Sequence, residues 1–226
     1  TLQVLCLLTL LQARGDTRQS PALLIVPASL LQNWCKESAQ FTPHLRFGIL
    51  HPMAMSDDDT RACNDNAAQY VQRFDAVLTT YGMLSRINTL QTITWAAVIA
   101  DEAQAIKNPA SKQSKAVRGL QSPRRLALTG TPVENRLAEL WSIMHFLNPG
   151  YLGAQETFRR QYIVPIERYN DEERTHELRR VVQPFLLRRL KSDPTIISDL
   201  PEKNEMVVYC SLSPEQAMLY EKTVND

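Results

Sequence analysis

Five short apolar runs, at residues 23–26, 47–50, 76–78, 97–100 and 125–128, recur along the first part of the chain with helix-like stretches between them. A strand that is apolar at nearly every position has to be covered on both faces. A parallel sheet whose crossover helices pack on either side is the arrangement that covers it. The alternation therefore predicts a layered α/β fold with right-handed crossovers. Helix-start signals agree: Ser29 stands before an amphipathic stretch at 30–41, and Pro109 before one that stops at Gly119. With 226 residues, of which 44% are hydrophobic, the chain has enough apolar material to build such a core.

Beyond about Asn135 the pattern changes. No strand-like run occurs until 206–209, and the residues between are long, charged and helix-forming: 140–147 up to the stop Asn148-Pro149-Gly150, then 157–162, 167–180 and 184–191. The expected organisation is a sheet-bearing lobe at 1–140, a helical insertion at 141–198, and a linker with the start of another unit at 199–226. The chain opens at Thr1, inside what reads as an apolar helix, and so reads as a fragment. The apolar run at 2–11 is short of the ~20 residues that a spanning helix needs and has no basic segment before it, so neither a membrane span nor a targeting segment is expected.

Charge and cysteine content narrow the classes further. Twenty-five Lys and Arg against 24 Asp and Glu give a net charge of +1, so any affinity for nucleic acid has to come from local patches. Cys6, Cys35, Cys63 and Cys210 are far apart, with no C-x-x-C pair, which argues against a structural zinc site and a disulfide framework and for a reducing compartment. The histidines His44, His51, His145 and His176 share no ligand spacing, and Asp57-Asp58-Asp59 lacks the Gly and the later Glu of a calcium loop.

The sharpest chemical signal is Val98-Ile99-Ala100-Asp101-Glu102-Ala103-Gln104. It is a buried strand that delivers two adjacent carboxylates at its C-terminal end, where open α/β sheets bind ligands. In a nucleotide hydrolase the first acid holds Mg²⁺ and the second orients and deprotonates the attacking water. The plain alternative is an acidic pair capping the next helix. A second strand, some twenty-five residues on, ends in Leu128-Thr129-Gly130-Thr131-Pro132, placing hydroxyls and a glycine beside the acids; alone it would read as a strand-to-helix turn. Together the two point to a nucleoside triphosphatase.

With these residues the chain resembles the Swi/Snf family of helicase-like, double-stranded-DNA-translocating ATPases in the second helicase superfamily, and most of all its prokaryotic branch. Leu24-Ile25-Val26-Pro27-Ala28-Ser29-Leu30-Leu31-Gln32-Asn33-Trp34 looks like motif Ia and Thr79-Thr80-Tyr81 like the following DNA-contact motif. Residues 101–104 look like motif II and 128–132 like motif III, while Asp101 to Asn108 and Pro184-Phe185-Leu186-Leu187-Arg188-Arg189-Leu190-Lys191 are the most family-specific stretches. The resemblance implies a RecA-like parallel sheet flanked by helices, of the P-loop NTPase type and truncated at its N-terminus, with ATP and Mg²⁺ as cofactors and duplex DNA as partner. It implies that Asp101 and the hydroxyl of Thr1 hold Mg²⁺, that Glu102 activates water, that Gln104 contacts the nucleotide, and that Thr129, Gly130 and Thr131 couple hydrolysis to lobe movement. Pro27, Ser29, Asn33, Thr80, Tyr81, Arg188, Arg189 and Lys191 would meet the DNA backbone, and DNA-bound proteins would be what the motor remodels. The compartment implied is the cytoplasm of a prokaryote, or the nucleus of a eukaryote.

Two departures stand out. None of the seven glycines is followed by Lys, so the 226 residues hold no G-x-x-x-x-G-K-[ST] loop, and the resemblance implies that these residues alone are inactive. Gln104 stands where the family often has His. A carboxylate-free stretch at 103–133 with Lys107, Lys112, Lys115, Arg118, Arg124 and Arg125, and a basic one at 179–191, read either as solvated helix faces or as further DNA contacts. Trp34, Trp141 and Phe146 read as core. Two other functions stay open at this point: an RNA or single-strand helicase of the same superfamily, and a non-catalytic nucleic-acid-binding module.

Overall fold

In the computed structural model, which describes residues 1–130, 136–189 and 204–225, all five apolar runs are strands of one parallel sheet. Strands β1 (Ala22–Val26), β2 (Phe47–Leu50), β3 (Ala76–Thr80), β4 (Val98–Ala100) and β5 (Arg125–Ala127) lie in the order β2-β3-β1-β4-β5. Register aligns Leu24 with Leu78 on one side and with Ile99 on the other, and Ala100 with Ala127. Side chains alternate across a strand, so β1 feeds two cores. Leu23 and Ile25 join one that includes Val77, Trp95, Val98 and Phe146; Ala22, Leu24 and Val26 join another with Leu5, Leu8, Trp34, Leu78 and Ile99. β5 lies outermost, its three residues are only half-buried, and no described residue pairs along its outer edge.

Helices α1 (Leu2–Ala13), α2 (Leu31–Phe41), α3 (Asp57–Asp65), α4 (Ala67–Val71), α5 (Tyr81–Leu84) and α6 (Lys112–Arg118) connect and cover the strands. α1 buries Val4, Leu5, Leu8 and Leu11, an i, i+1, i+4, i+7 stripe, against the second core. A 3₁₀ turn at Ala28–Leu30 precedes α2. α6 starts later than Pro109 suggests: the hydroxyl of Ser111 accepts from the Ser114 amide, so serine, not proline, caps it. α7 (Leu137–Leu147), α8 (Gln155–Phe158), α9 (Val164–Tyr169) and α10 (Glu172–Val182) come next, with a π-helical turn at Arg159–Ile163 between α8 and α9. Trp141 and Phe146 of α7 are buried, and Phe158 is fully so.

Two compact units divide the chain, Thr1–Arg180 and Val181–Asp226. The second holds a 3₁₀ turn at Gln183–Phe185, an extended stretch with exposed Arg188 and Arg189, and α11 (Pro214–Asn225). Of the helix expected over 184–191, the described part, 184–189, holds only one 3₁₀ turn, since Pro184 suits only a first turn and Leu186 is already extended; residues 190 and 191 lie outside the described residues. The strand expected over 206–209 is in no sheet with a described residue, and its side chains are exposed, Tyr209 to 93%. Among the described residues no helix is long and apolar enough to cross a membrane.

At the N-terminal end of β3, Asp75 is 6% exposed and accepts from Arg46 three times, from its amide at 3.0 Å, its Nε at 3.1 Å and its Nη2 at 3.0 Å, and from the Thr17 hydroxyl at 3.4 Å. Burial pulls the carboxyl up, but the bonds and charge of Arg46 outweigh it and hold the acid below its ordinary range. The native state therefore gains stability from this pair above about pH 4 and loses it as pH falls through the lowered value. Asp75→Asn is expected to cost about 2 kcal/mol at neutral pH, between the ~0–1 kcal/mol of an exposed pair and the ~3–5 kcal/mol of a fully buried one, because Asp75 is buried but Arg46 is 60% exposed and screened. Urea unfolding at pH 7 and pH 3 checks this: the deficit should shrink at pH 3, and an equal deficit at both pH values would remove the ion pair as its cause.

Candidate functional site

The two acids sit where β4 ends between its neighbours. Backbone bonding carries the sheet one step past the strand: the Asp101 amide donates to Ile25 at 2.8 Å, the Leu128 amide to Ala100 at 2.8 Å, and the Ala103 amide back to Leu128 at 2.8 Å. At Glu102 the backbone turns left-handed, with φ 49° and ψ 54°. In a continued strand, Asp101 and Glu102 would alternate to opposite faces; the left-handed residue ends that alternation. Such a conformation costs a non-glycine residue about 1 kcal/mol or more and persists only where its surroundings hold it.

A hydrogen-bonded chain leads from Glu102 to the next strand. Nε2 of Gln104 donates to Glu102 Oε2 at 2.6 Å, and Oε1 of the same amide accepts from the Thr129 hydroxyl at 2.9 Å. A carboxylate can only accept, so it fixes which end of the amide faces it, and the oxygen is left for the hydroxyl. Gln104 thus lies between Glu102 and Thr129. A neutral histidine, with one ring N–H and one bare ring nitrogen, could serve the same two directions.

Asp101 is held by two residues that the sequence suggested for other roles. Nε1 of Trp34 donates to Asp101 Oδ2 at 2.8 Å, and the Tyr81 hydroxyl donates to the Asp101 carbonyl at 2.7 Å. Oδ1 accepts the Glu102 amide at 3.0 Å. Burial first, and then the charges of Asp101 and Glu102, push the Tyr81 phenol well above its ordinary range, so it stays a donor. The Trp34 bond has a sequence signal: Leu31, Trp34 and Ser38 form the buried i, i+3, i+7 stripe of α2, and a buried indole N–H needs a partner.

The remaining candidates divide by exposure. Ser29 and Asn33 are exposed and Pro27 is half-buried, all at or just after the end of β1. Thr80 and Tyr81, expected at the DNA backbone, are buried; Thr80 caps α5 by accepting the Met83 amide at 3.3 Å, and exposed Gly82 comes directly after them. Thr1 is the exposed N-cap of α1 and its side chain makes no capping bond. Gly130 is exposed beside Thr129, whereas Thr131 and Lys191 lie outside the described residues. In the basic stretch after Ala103, Lys107 pairs with Glu139, Arg118 donates to Pro109, Arg124 pairs with Asp16, and Arg125 donates to Leu120 and Phe146, leaving Lys112 and Lys115 exposed.

Whether these residues suit Mg²⁺ can be judged from the donor set. Asp101 and Glu102 offer hard oxygen atoms, and each Asp101 oxygen spends one acceptor site on a protein donor, leaving capacity on both. Among the described residues no cluster of three or more His, Cys, Asp or Glu is arranged to hold a metal. A site with one or two carboxylates suits Mg²⁺, which keeps waters and takes phosphate oxygens, and does not suit an all-protein cage.

Comparison with known proteins gives one consistent picture. The family model described as SNF2-related domain matches residues 1–226. The chain is 45% identical over 212 residues to YwqA of Bacillus subtilis (strain 168), which carries the name of an ATP-dependent helicase/translocase, covering 92% of this chain and 22% of that protein. It is 36% identical over 203 residues to the ISWI chromatin-remodeling complex ATPase ISW2 of Saccharomyces cerevisiae, covering 89% of this chain and 18% of that one. The chain therefore spans about a fifth of the length of these relatives. Among solved structures it is similar to the Sulfolobus solfataricus SWI2/SNF2 ATPase core in complex with dsDNA, at TM-score 0.76 and 41% identity over 99% of this chain and 45% of that one. The same core without that partner in its description matches at TM-score 0.74 and 41% identity, over 100% and 44%.

Proposed function

This chain belongs to the SNF2-related domain family, and on that premise we propose that it is the hydrolytic lobe of an ATP-driven motor that moves along double-stranded DNA and remodels protein–DNA complexes. The observation that carries the proposal is the joined set Asp101, Glu102, Gln104 and Thr129 at the C-terminal ends of two adjacent parallel strands. ATP would supply the phosphoanhydride to be cleaved, and Mg²⁺, when bound, would supply charge neutralisation to its phosphates. Asp101 would hold the ion, with the Thr1 hydroxyl as the further oxygen. Glu102 takes the proton of the attacking water and aims its lone pair; its carboxylate is steadied by the Gln104 amide. Because the other end of that amide holds Thr129, a change at Glu102 is felt at the end of β5, which starts the coupling segment of Thr129, Gly130 and Thr131.

Ser29 and Asn33 present polar side chains suited to phosphate oxygens around the head of α2, with Pro27 leading into the turn before them; within the second unit, Arg188 and Arg189 are exposed cations, while Lys191 lies outside the described residues. Contacts of this kind hold the backbone and read no bases, so sequence preference should be weak. These 226 residues alone, without a glycine-lysine phosphate loop, are expected to hydrolyse no ATP. In the intact protein, duplex DNA is expected to stimulate hydrolysis, and the duplex concentration needed should rise steeply between about 50 and 200 mM salt, as counterion release requires. Steady-state hydrolysis with duplex, single strand and structured RNA across a salt series tests this. Stimulation by RNA in place of duplex would move the chain to the helicase reading, and no hydrolysis at all would leave a binding module.

A further inference from the structure

Trp34 contributes more than a filled core. Its ring is 2% exposed and belongs to the core layer with Leu24, Leu31, Leu78 and Ile99, yet its one polar atom reaches the carboxylate of Asp101, 67 residues away at the end of β4. The acceptor is a carboxyl oxygen and the bond is short, at 2.8 Å. It leaves Asp101 with a fixed carboxylate plane: Oδ2 on the indole, Oδ1 on the Glu102 amide. A ligating carboxylate oriented by outer partners binds its ion better than one free to turn.

The position of Trp34 in the chain adds a second consequence. It stands directly after Asn33, and successive residues of a helix point about 100° apart, so Asn33 is exposed while Trp34 is turned to the sheet. One turn earlier stands exposed Ser29. The Trp34 ring and its one hydrogen bond thereby join the start of α2 directly to Asp101. Tyr81 braces the same residue from the end of β3, at its carbonyl, one position before exposed Gly82. Two surface segments at adjacent strand ends thus each send one donor inward to Asp101.

We propose that Trp34 is a positioning residue for Asp101, and that the Trp34–Asp101 bond is the link through which duplex DNA at the head of α2 sets the metal-holding carboxylate. This rests on the hydrolytic reading above. In the intact protein, Trp34→Phe keeps a buried aromatic ring and removes the N–H. It is expected to raise the Mn²⁺ concentration that half-saturates the site, read by electron paramagnetic resonance with a non-hydrolysable ATP analogue, about tenfold. Duplex-stimulated kcat should fall about tenfold as well, with a smaller change in KM for ATP. Tyr81→Phe, which loses only a hydroxyl, should shift both in the same direction and less.

A spectroscopic measurement is independent of turnover and can be made without altering Trp34. With ¹⁵N-labelled tryptophan in the otherwise unmutated protein, the Trp34 indole resonance should move when duplex DNA is added, and again in Asp101→Asn. An unchanged Mn²⁺ midpoint and unchanged stimulation in Trp34→Phe, at altered thermal stability, would reduce Trp34 to a core residue and overturn the proposal. An indole resonance indifferent to duplex and to Asp101→Asn would overturn it too. Should the unmutated protein show no duplex-stimulated hydrolysis, the motor reading fails, and the link to DNA fails with it; the Mn²⁺ midpoint then reports on Asp101 alone.

Discussion

Replacing Glu102 with glutamine is expected to lower duplex-stimulated kcat of the intact protein by about a thousandfold while leaving ATP binding close to unchanged. The substitution keeps size and shape and removes one thing, the capacity to accept a proton from water, a contribution that general bases make at the level of about 10²–10⁴ in rate. The structure gives reason to expect a clean result. The new amide oxygen can still accept from Gln104 Nε2, so the path to Thr129 survives, and the left-handed backbone at 102 makes no greater demand on glutamine than on glutamate. Pre-steady-state and steady-state hydrolysis, paired with equilibrium binding of a fluorescent ATP analogue, separate the two effects. Turnover near the unmutated rate would take Glu102 out of the chemistry, and lost binding would make it a nucleotide contact instead.

Trp95→Ala is expected to destabilise Thr1–Arg180 by about 4 kcal/mol, in the range for emptying a buried aromatic site. Trp95 is fully buried just before β4; its indole N–H donates to the Leu90 carbonyl at 3.0 Å, and its amide donates to Gln121 at 2.9 Å. Alanine leaves a cavity and also an acceptor without its donor, and the second loss adds to the first. Against a total of about 5–15 kcal/mol for a domain, this is enough to leave a large unfolded fraction at body temperature. Trp95→Phe restores most of the volume but not the donor, so the difference between the two variants separates the cavity from the hydrogen bond. Denaturant unfolding followed by far-ultraviolet circular dichroism reads both, and a loss below about 1 kcal/mol for the alanine variant would mean that the site collapses without cost.

Much of the fold is legible because a continuously apolar run has few alternatives to a covered strand. All five such runs are strands, with boundaries within two residues of those read from the sequence. The acid pair is legible for the same reason: Val98-Ile99-Ala100 announces a strand, and the two residues next in the chain must stand at its end. The part that sequence did not disclose depends on register. Trp34 meets Asp101 because β1 and β4 align Leu24 with Ile99, and nothing in the local sequence of either partner carries that alignment. The family resemblance of Thr79-Thr80-Tyr81 puts Thr80 and Tyr81 at the DNA backbone, yet the chain turns into α5 at that point and buries both. The acid-free basic stretch beginning at Ala103 reads as one patch along the chain, but four of its six cations are taken up by Glu139, Pro109, Asp16, Leu120 and Phe146. At 206–209 composition favours a strand, but strand formation needs a neighbouring edge, which a composition cannot specify.

The half-covered outer side of β5 bears on how the site can be completed. A sheet side without a neighbour is a line of amide donors and carbonyl acceptors waiting for a partner. Every strand already in this sheet runs the same way, with its C-terminal end on the side of Asp101, Glu102 and Thr129. Whatever segment docks there in the same sense must bring the residues beyond its own C-terminal end to the flank of Thr129 and Gly130. The open side of β5 and the Glu102–Gln104–Thr129 chain therefore share one end of the sheet, so a strand added there would be a neighbour of the site as well as of the sheet.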